Sequence, residues 1–314
     1  MKLFYATDVH GSDRCFAKFV NAAAFYGADA ILLGGDITGK AIVPLVEDGP
    51  GRWHGVFLGE EVRVEGVAAM EELEQKIAGT GYYAHRCTAE EERELAASAE
   101  ARNELVVRLI VERVKRWVEL AEERLVPLGI PCLVNAGNDD PREIDAVIDS
   151  SSHVQFLEGR VVELPDGTEL ASCGYANRTP WNCPRDVEES ELSERLEDVA
   201  SQVRDPERAI FNFHCPPYDT GIDAGPKLSA DLRLRSGGGG VDMHPVGSTA
   251  CRSVIERHRP MLGLHGHLHE SRGTYKLGLT LGLNPGSEYN EGVLRGALVE
   301  IKKGKLKSHQ FTAG

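Results

Sequence analysis

Three observations predict an α/β fold with parallel strands. Short, wholly apolar runs at Leu3 to Ala6, Ala30 to Leu33, Pro131 to Val134, Ala209 to Phe213 and Met261 to Leu264 have the length of buried strands. Helix-periodic segments lie between them, the first over 13–26. Each run is followed within a few residues by Asp, Asn or His, at the strand edge where open α/β sheets bind their ligands.

At 314 residues the chain is long enough for one large domain or two small ones with a sizeable core. Its 41% hydrophobic and 27% charged residues are ordinary for a globular protein. The 35 Lys and Arg stand against 49 Asp and Glu, a formal net charge of -14, so duplex nucleic acid is not expected as a general surface partner. One phosphate at a local metal centre remains compatible with that charge. Seven widely spaced cysteines, without a Cys-x-x-Cys pair, fit reduced thiols. With no signal-like start and no long apolar run, a cytoplasmic location without a membrane span is expected.

In chain order, the first strand delivers Asp8 and His10, which can turn to one side and share a cation. Phe16, Phe19, Val20, Ala23 and Ala24 fall on one face of the following helix, with Ser12 or Asp13 as N-cap and Gly27 closing it. The β-α-β order makes the next strand parallel to the first and sets Asp36 at its end, behind Gly34 and Gly35. Alone, Asp36 reads as a turn or cap residue; beside Asp8 and His10 it reads as a ligand.

From Gly39 to about Leu128 the pattern changes. Ala41 to Val46 and Val56 to Val64 suggest a hairpin turning near Gly59-Glu60-Glu61. Helices are predicted over 67–78 and 89–126, the second with an apolar stripe through Leu105, Leu109, Val114, Trp117 and Leu120. Segment 39–128 is therefore read as an inserted hairpin-plus-helix cap over the site. His54 and His85 fall in its loops, and His85 is taken as a candidate substrate contact.

Pro131 to Val134 runs into Asn138, whose amide oxygen can ligate a metal; a helix starting at Pro141 is expected next. Short strands follow around a hairpin turn at Pro165-Asp166-Gly167, then an acidic amphipathic helix over 187–203. Ala209 to Phe213 ends in His214. Segment 216–248, with glycines at 237–240 and His244 as a second candidate substrate contact, is expected to be a mobile active-site loop. A helix over 249–258 precedes the strand that enters His265-Gly266-His267-Leu268-His269. The β-like runs of 273–312 are expected to complete a second sheet.

Five strand ends thus carry Asp8 and His10, Asp36, Asn138, His214, and His267 with His269. Seven oxygen and nitrogen donors suit two cations sharing a bridging carboxylate, and mixed Asp, Asn and His ligation favours Mn, Fe, Zn, Co or Ni over Ca or Mg. Two such ions, about 3.5–4 Å apart, can clamp a phosphoryl oxygen and turn a bridging water into hydroxide.

The ordered set Asp-x-His, Gly-Asp, Gly-Asn-Asp, a lone His and Gly-His-x-His, from Asp8 to His269, resembles the calcineurin-like metallophosphoesterases. The match spans most of the chain outside the insertion. The resemblance implies a four-layer αββα sandwich of two mixed sheets. It implies one metal on Asp8, His10, Asp36 and His269 and another on Asp36, Asn138, His214 and His267, with Asp36 bridging. It further implies hydrolysis of a small phosphodiester or phosphomonoester by a metal-bridging hydroxide, with Asp36, Asn138 and Asp139 in the catalytic centre. One departure stands out: many members of the family have His directly after the Asn, where this chain has Asp139. A carboxyl group with an ordinary pKa of about 3.9 is a poor proton donor at neutral pH. Asp139 and Asp140 also suit a structural role as caps of the helix at Pro141. His244 and His85 are candidate replacements for the missing His, and His265 is either a support for a ligand or a packed core histidine. Two functions stay open: a hydrolase, or a metal-dependent scaffold that binds a partner or phosphate without turnover. A dimer through the insertion helices is compatible with either.

Overall fold

The computed structural model describes residues 1–227, 236–237 and 240–314. Strand β1 (Lys2–Ala6), helix α1 (Asp13–Tyr26) and β2 (Ala30–Leu33) open the chain. They are followed by β3 (Ile42–Glu47), β4 (Arg52–Phe57), β5 (Glu60–Glu65), α2 (Val67–Gly79) and β6 (Tyr83–Cys87). Next come α3 (Ala89–Ala97), α4 (Ala99–Leu125), β7 (Cys132–Val134), α5 (Glu143–Asp149), β8 (Val154–Phe156), β9 (Val161–Glu163) and β10 (Glu169–Cys173). Then follow β11 (Ala176–Asn177), β12 (Asp186–Val187), α6 (Glu189–Ser201), β13 (Ile210–Phe213) and β14 (Ala224–Pro226). The last part holds the two-residue strands β15 (Ser236–Gly237) and β16 (Gly240–Val241), then β17 (Met243–Pro245), α7 (Thr249–His258) and β18 (Leu262–Leu264). Strands β19 (Gly273–Leu277), β20 (Thr280–Asn284), β21 (Arg295–Ile301) and β22 (Leu306–Ala313) close the chain.

Two six-stranded mixed sheets, ordered β22-β21-β1-β2-β7-β8 and β19-β20-β18-β13-β10-β9, form the sandwich. In the first, β1, β2, β7 and β8 run parallel; in the second, β10, β13, β18 and β20 do. Parallel strands are covered on both faces, and alternation along β1 shows how. Leu3 and Tyr5 pack between the sheets with Leu32, Leu170, Ile210 and Leu264. Phe4 and Ala6 face the other way, into a core with α1, α4 and α5. The outer face of the second sheet packs on α6 and α7. Each fully buried Leu or Phe in these layers contributes about 1.5–3 kcal/mol. The layers are therefore helix, sheet, sheet, helix.

Helix α1 matches its sequence signals: the Ser12 hydroxyl accepts the Cys15 N–H, and Gly27 closes the helix at φ +58°. Elsewhere the structure differs from the sequence expectations, each time for a local reason. The hairpin turning at Leu58 and Gly59 joins β4 to β5, and β3 pairs with β4 on one side and β6 on the other, giving the sheet β5-β4-β3-β6. His54 and His85 consequently lie on strands, not in loops. The helix expected over 89–126 breaks at Ser98, whose extended backbone and hydroxyl cap α4. Helix α5 begins at Glu143 and not at Pro141, because the Asp140 carboxylate is taken by distant backbone. The closing strands divide: β19 and β20 join the second sheet, whereas β21 pairs antiparallel with β1 and extends the first.

The stripe on α4 enters the main core, where Trp117 stacks on Phe16 at 4.2 Å and donates its indole N–H to Asp13. Arg113, on the same helix and almost fully buried, donates to the carbonyls of Gly11 and Tyr82. It ties the loop after β1 to the segment before β6. The four-stranded sheet has its own small core of Val43, Leu45, Phe57, Met70, Leu73 and Ile77. In segment 216–248, β14 pairs with β17, bringing Gly225 beside His244; the middle of the expected glycine run lies outside the described residues. All seven cysteines are buried and free. Among the described residues no helix is long and apolar enough to cross a membrane.

Candidate metal centre

The carboxyl ends of β1, β2, β7, β13 and β18 converge at one edge of the sandwich and bring together all seven residues named from the sequence. Asp8, His10 and His269 form one group and Asp36, His214 and His267 another, with donor atoms in each within 4.8 Å of one another. The groups meet at Asp36, whose Oδ2 lies 3.3 Å from His214 Nε2 and 3.8 Å from His10 Nε2. Asp8 Oδ1 lies 3.5 Å from His269 Nε2 and 3.9 Å from His214 Nε2. Asn138 joins the second group: its Oδ1 is 2.8 Å from His267 Nδ1, and its amide N–H donates to Asp186, which orients that oxygen inward.

The backbone is shaped around this cluster. Four of the nine non-glycine residues with positive φ among the described residues are Asp8, His10, Asp36 and His267. Such conformations are costly for residues with a Cβ and gather at functional sites. Glycines supply the close approaches. A Cβ on Gly35 would come within 2.3 Å of His214 Nδ1, one on Gly137 within 2.2 Å of Asp36, and one on Gly266 within 2.3 Å of Asp8 Oδ2.

The electrostatics fit cations. Burial would raise the Asp36 carboxyl pKa, but the imidazoles of His214, His10 and His267 hold it well below the usual range. Burial would lower His214, but Asp36 and then Asp8 push it up to about 9. Both ring nitrogens of His214 are buried without a hydrogen-bond partner among the described residues. Buried ring nitrogens without a well-aligned partner are costly, and a cation beside Asp36 and Asp8 would take the lone pair of Nε2 from a neutral His214 ring. His10 Nε2 and His269 Nε2 stand 3.0 Å apart, where lone pairs can converge on one ion. The donor set therefore fits divalent metals of the Mn, Fe, Zn, Co and Ni class.

A cavity of about 590 Å³ opens over the cluster, bordered by Lys40, Tyr82, Asp139 and Tyr289. A second, of about 750 Å³, is contiguous with it through Thr179, Trp181 and His267 and holds His244. His85 lies on β6 and lines neither cavity. His265 is a packed core histidine: Nδ1 is 2.7 Å from the Phe213 carbonyl, Nε2 is 3.0 Å from the Tyr275 hydroxyl, and burial pushes its pKa down to about 4. Asp140 is structural, though not as a helix cap. It is fully buried and accepts the N–H groups of Ile37, Thr38 and Gly137, locking the loop after β2 to the loop after β7.

Asp139 stands beside the cluster. Its N–H donates to Asp36 Oδ1, and its carboxylate takes Lys40 Nζ at 2.5 Å and the Cys183 thiol at 2.6 Å. Lys40, Cys183, Asp186 and Tyr289, whose ring packs 4.8 Å from that of His10, were not singled out from the sequence. Lys40 follows Asp36 by four residues and could have been weighed with it; nothing in the pattern points to the others.

No family model matches the chain. In sequence it is 30% identical, over 177 residues, to the uncharacterized protein MJ1162 of Methanocaldococcus jannaschii, covering 56% of this chain and 70% of that one. In fold it is similar to TT1561 of Thermus thermophilus, with a TM-score of 0.55 at 16% identity over 100% of this chain and 97% of that one. A second solved chain scores 0.59, also at 16% identity, over 100% and 98%. The chain belongs to one family with the Methanocaldococcus protein, and it shares the fold of TT1561.

Proposed function

We propose that the chain is a dinuclear metal-dependent phosphoesterase that hydrolyses a small phosphodiester or phosphomonoester. The observation that carries this reading is the pair of donor clusters meeting at Asp36 beneath an open cavity. Asp8, His10 and His269 would hold one divalent ion and Asn138, His214 and His267 the other, with Asp36 between them. When bound, two such ions polarise a phosphoryl oxygen and acidify a water. The chain's own contribution is placement: Asp186 sets the Asn138 amide, Tyr289 backs the His10 ring, and Asp140 fixes the two loops on which Asp36 and Asn138 sit. The net charge of -14 favours a small substrate over duplex nucleic acid.

Within segment 39–128, the start and the four-stranded sheet are read as an insertion that borders the site, because Lys40, Ala41 and Tyr82 line the cavity, whereas α4 belongs to the helical layer of the sandwich. Segment 216–248, with His244 in the adjoining cavity, is read as the active-site loop. The test is turnover of bis(p-nitrophenyl) phosphate beside p-nitrophenyl phosphate, using protein stripped of metal and reloaded with Mn²⁺. Multiple turnovers of either ester are expected, abolished by chelation. Two bound metals with no turnover of any phosphoester would replace this reading with the phosphate-binding scaffold that Asp139 suggests.

A further inference from the structure

The position where the resemblance places a histidine holds Asp139, and the question is what chemistry takes its place. The Asp139 side chain acts as an acceptor. What it accepts here is a cation, the Lys40 ammonium at 2.5 Å, and the Cys183 thiol at 2.6 Å. Burial and then Asp139 push the Cys183 thiol up to about 12, so it remains a neutral donor and adds no negative charge. Burial works against the Lys40 charge, but Asp139 outweighs it and holds the ammonium protonated.

Counting donors shows what the ammonium has left. A lysine offers three N–H groups. One is used by Asp139 and a second faces Cys183 Sγ at 3.6 Å. The third has no protein partner among the described residues. The side chain is half exposed and lines the same cavity as Asp36, Asn138, His10 and His269. The backbone N–H of Asp139 donates to Asp36 Oδ1, so the ion pair is held in register with the carboxylate at the junction of the two clusters.

We infer that Lys40, positioned by Asp139, is a phosphate-binding cation of this site that takes a phosphoryl oxygen of the substrate with its third N–H. The inference rests on the phosphoesterase reading for the identity of the ligand, and no proton leaves Lys40 in it. Asp139 is then a positioning residue, whose role is to aim the ammonium.

The test is calorimetric binding of inorganic phosphate to the full chain loaded with Mn²⁺, with metal content measured in each variant. Lys40→Met should weaken phosphate binding about tenfold or more at unchanged metal content, the usual weight of a charge-assisted hydrogen bond. Lys40→Arg should restore most of it, and Asp139→Asn should weaken it by a smaller factor. Wild-type phosphate affinity in Lys40→Met, even with a lower melting temperature, would reduce Lys40 to a structural ion pair and overturn the inference. So would a loaded wild-type protein that binds no phosphate. If phosphate binding depends on Lys40 while no phosphoester is turned over, the inference stands and the phosphoesterase reading falls. If turnover is normal and phosphate binding ignores Lys40, the reverse holds.

Discussion

The ligand-bearing edge of the sandwich and the four-stranded sheet of 42–87 are built in opposite ways. At the edge, residues 7–12, 34–38 and 135–140 are buried almost throughout, four of the seven donor residues hold positive φ, and glycines bring backbone against the donors. In the sheet, β4 and β5 pair in unbroken register over six residues, most of them half-buried or exposed. The sheet follows ordinary strand rules that many sequences satisfy. The edge holds its backbone in conformations that only a surrounding, over-determined structure can maintain. The difference shows where tolerance to substitution ends.

The sharpest test of that contrast is at the donors. His214→Ala and Asn138→Ala should each lower Mn²⁺-dependent phosphoester turnover by about a hundredfold or more, the loss expected when a metal ligand goes rather than a group behind it. Steady-state kinetics at matched protein and metal concentrations checks this, and full activity in both variants would remove the edge's functional status.

Glycine exchanges come next. Gly137→Ala puts a methyl 2.2 Å from the backbone N and Oδ1 of Asp36, a clash that no side-chain rotation relieves. It should cost about 3 kcal/mol and lower metal content as well. Gly59→Ala, in the β4–β5 turn at φ +81° with nothing within 4 Å, should cost only about 1–2 kcal/mol for the left-handed backbone and leave metal binding alone. Denaturant unfolding beside metal analysis separates the two, and equal losses would mean that the regions do not differ.

A comparable truncation inside the appended sheet should move stability without touching the site. Leu45 is fully buried in the small core with Val43, Phe57 and Met70. Leu45→Ala is expected to cost about 2–4 kcal/mol from lost burial and the cavity left behind. Metal content should stay at the wild-type level. A drop in bound metal would show that the sheet braces the edge, through the Arg113 link to Gly11 and Tyr82.

The same contrast explains what the sequence disclosed. Strands β1, β2, β7, β13 and β18 are buried on both faces, so each leaves an uninterrupted apolar run, and the donors follow within a few residues of its end. Site and fold were legible together for that reason. The appended sheet was legible in part: the strand at 42–47 and a turn near Gly59 were expected, but β4 and β6 were not, because the Leu58-Gly59 turn is embedded in an apolar stretch and β6 carries His85 and Arg86 among its five residues. Strand pairing leaves no periodic trace either, and β21 beside β1 could not be foreseen. Lys40 and Cys183 meet at Asp139 only because three distant loops fold over one cavity, so the local chemistry that distinguishes this site had no sequence signature.

The smallest effect expected separates two histidines, one behind each region. His265, behind the edge and fully buried, has its pKa pushed by burial from an ordinary 6.5 down to about 4. Between those values the unfolded chain takes up a proton that the folded chain refuses. The contribution is therefore fully present above about pH 6.5 and is lost as the pH falls toward 4. From pH 7.5 to pH 5 it amounts to about 2 kcal/mol. His85, on the appended sheet and only half-buried, is lowered by burial and then by Arg108, in the same direction but with solvent at hand. Urea unfolding across that range, at constant excess Mn²⁺, should show a flatter acid limb in His265→Gln than in the wild type, with His85→Gln changing the slope less. Parallel pH profiles for His265→Gln and the wild type would mean that His265 is protonated in place. The packed, neutral core behind His214 would then have to be redrawn as one that admits charge.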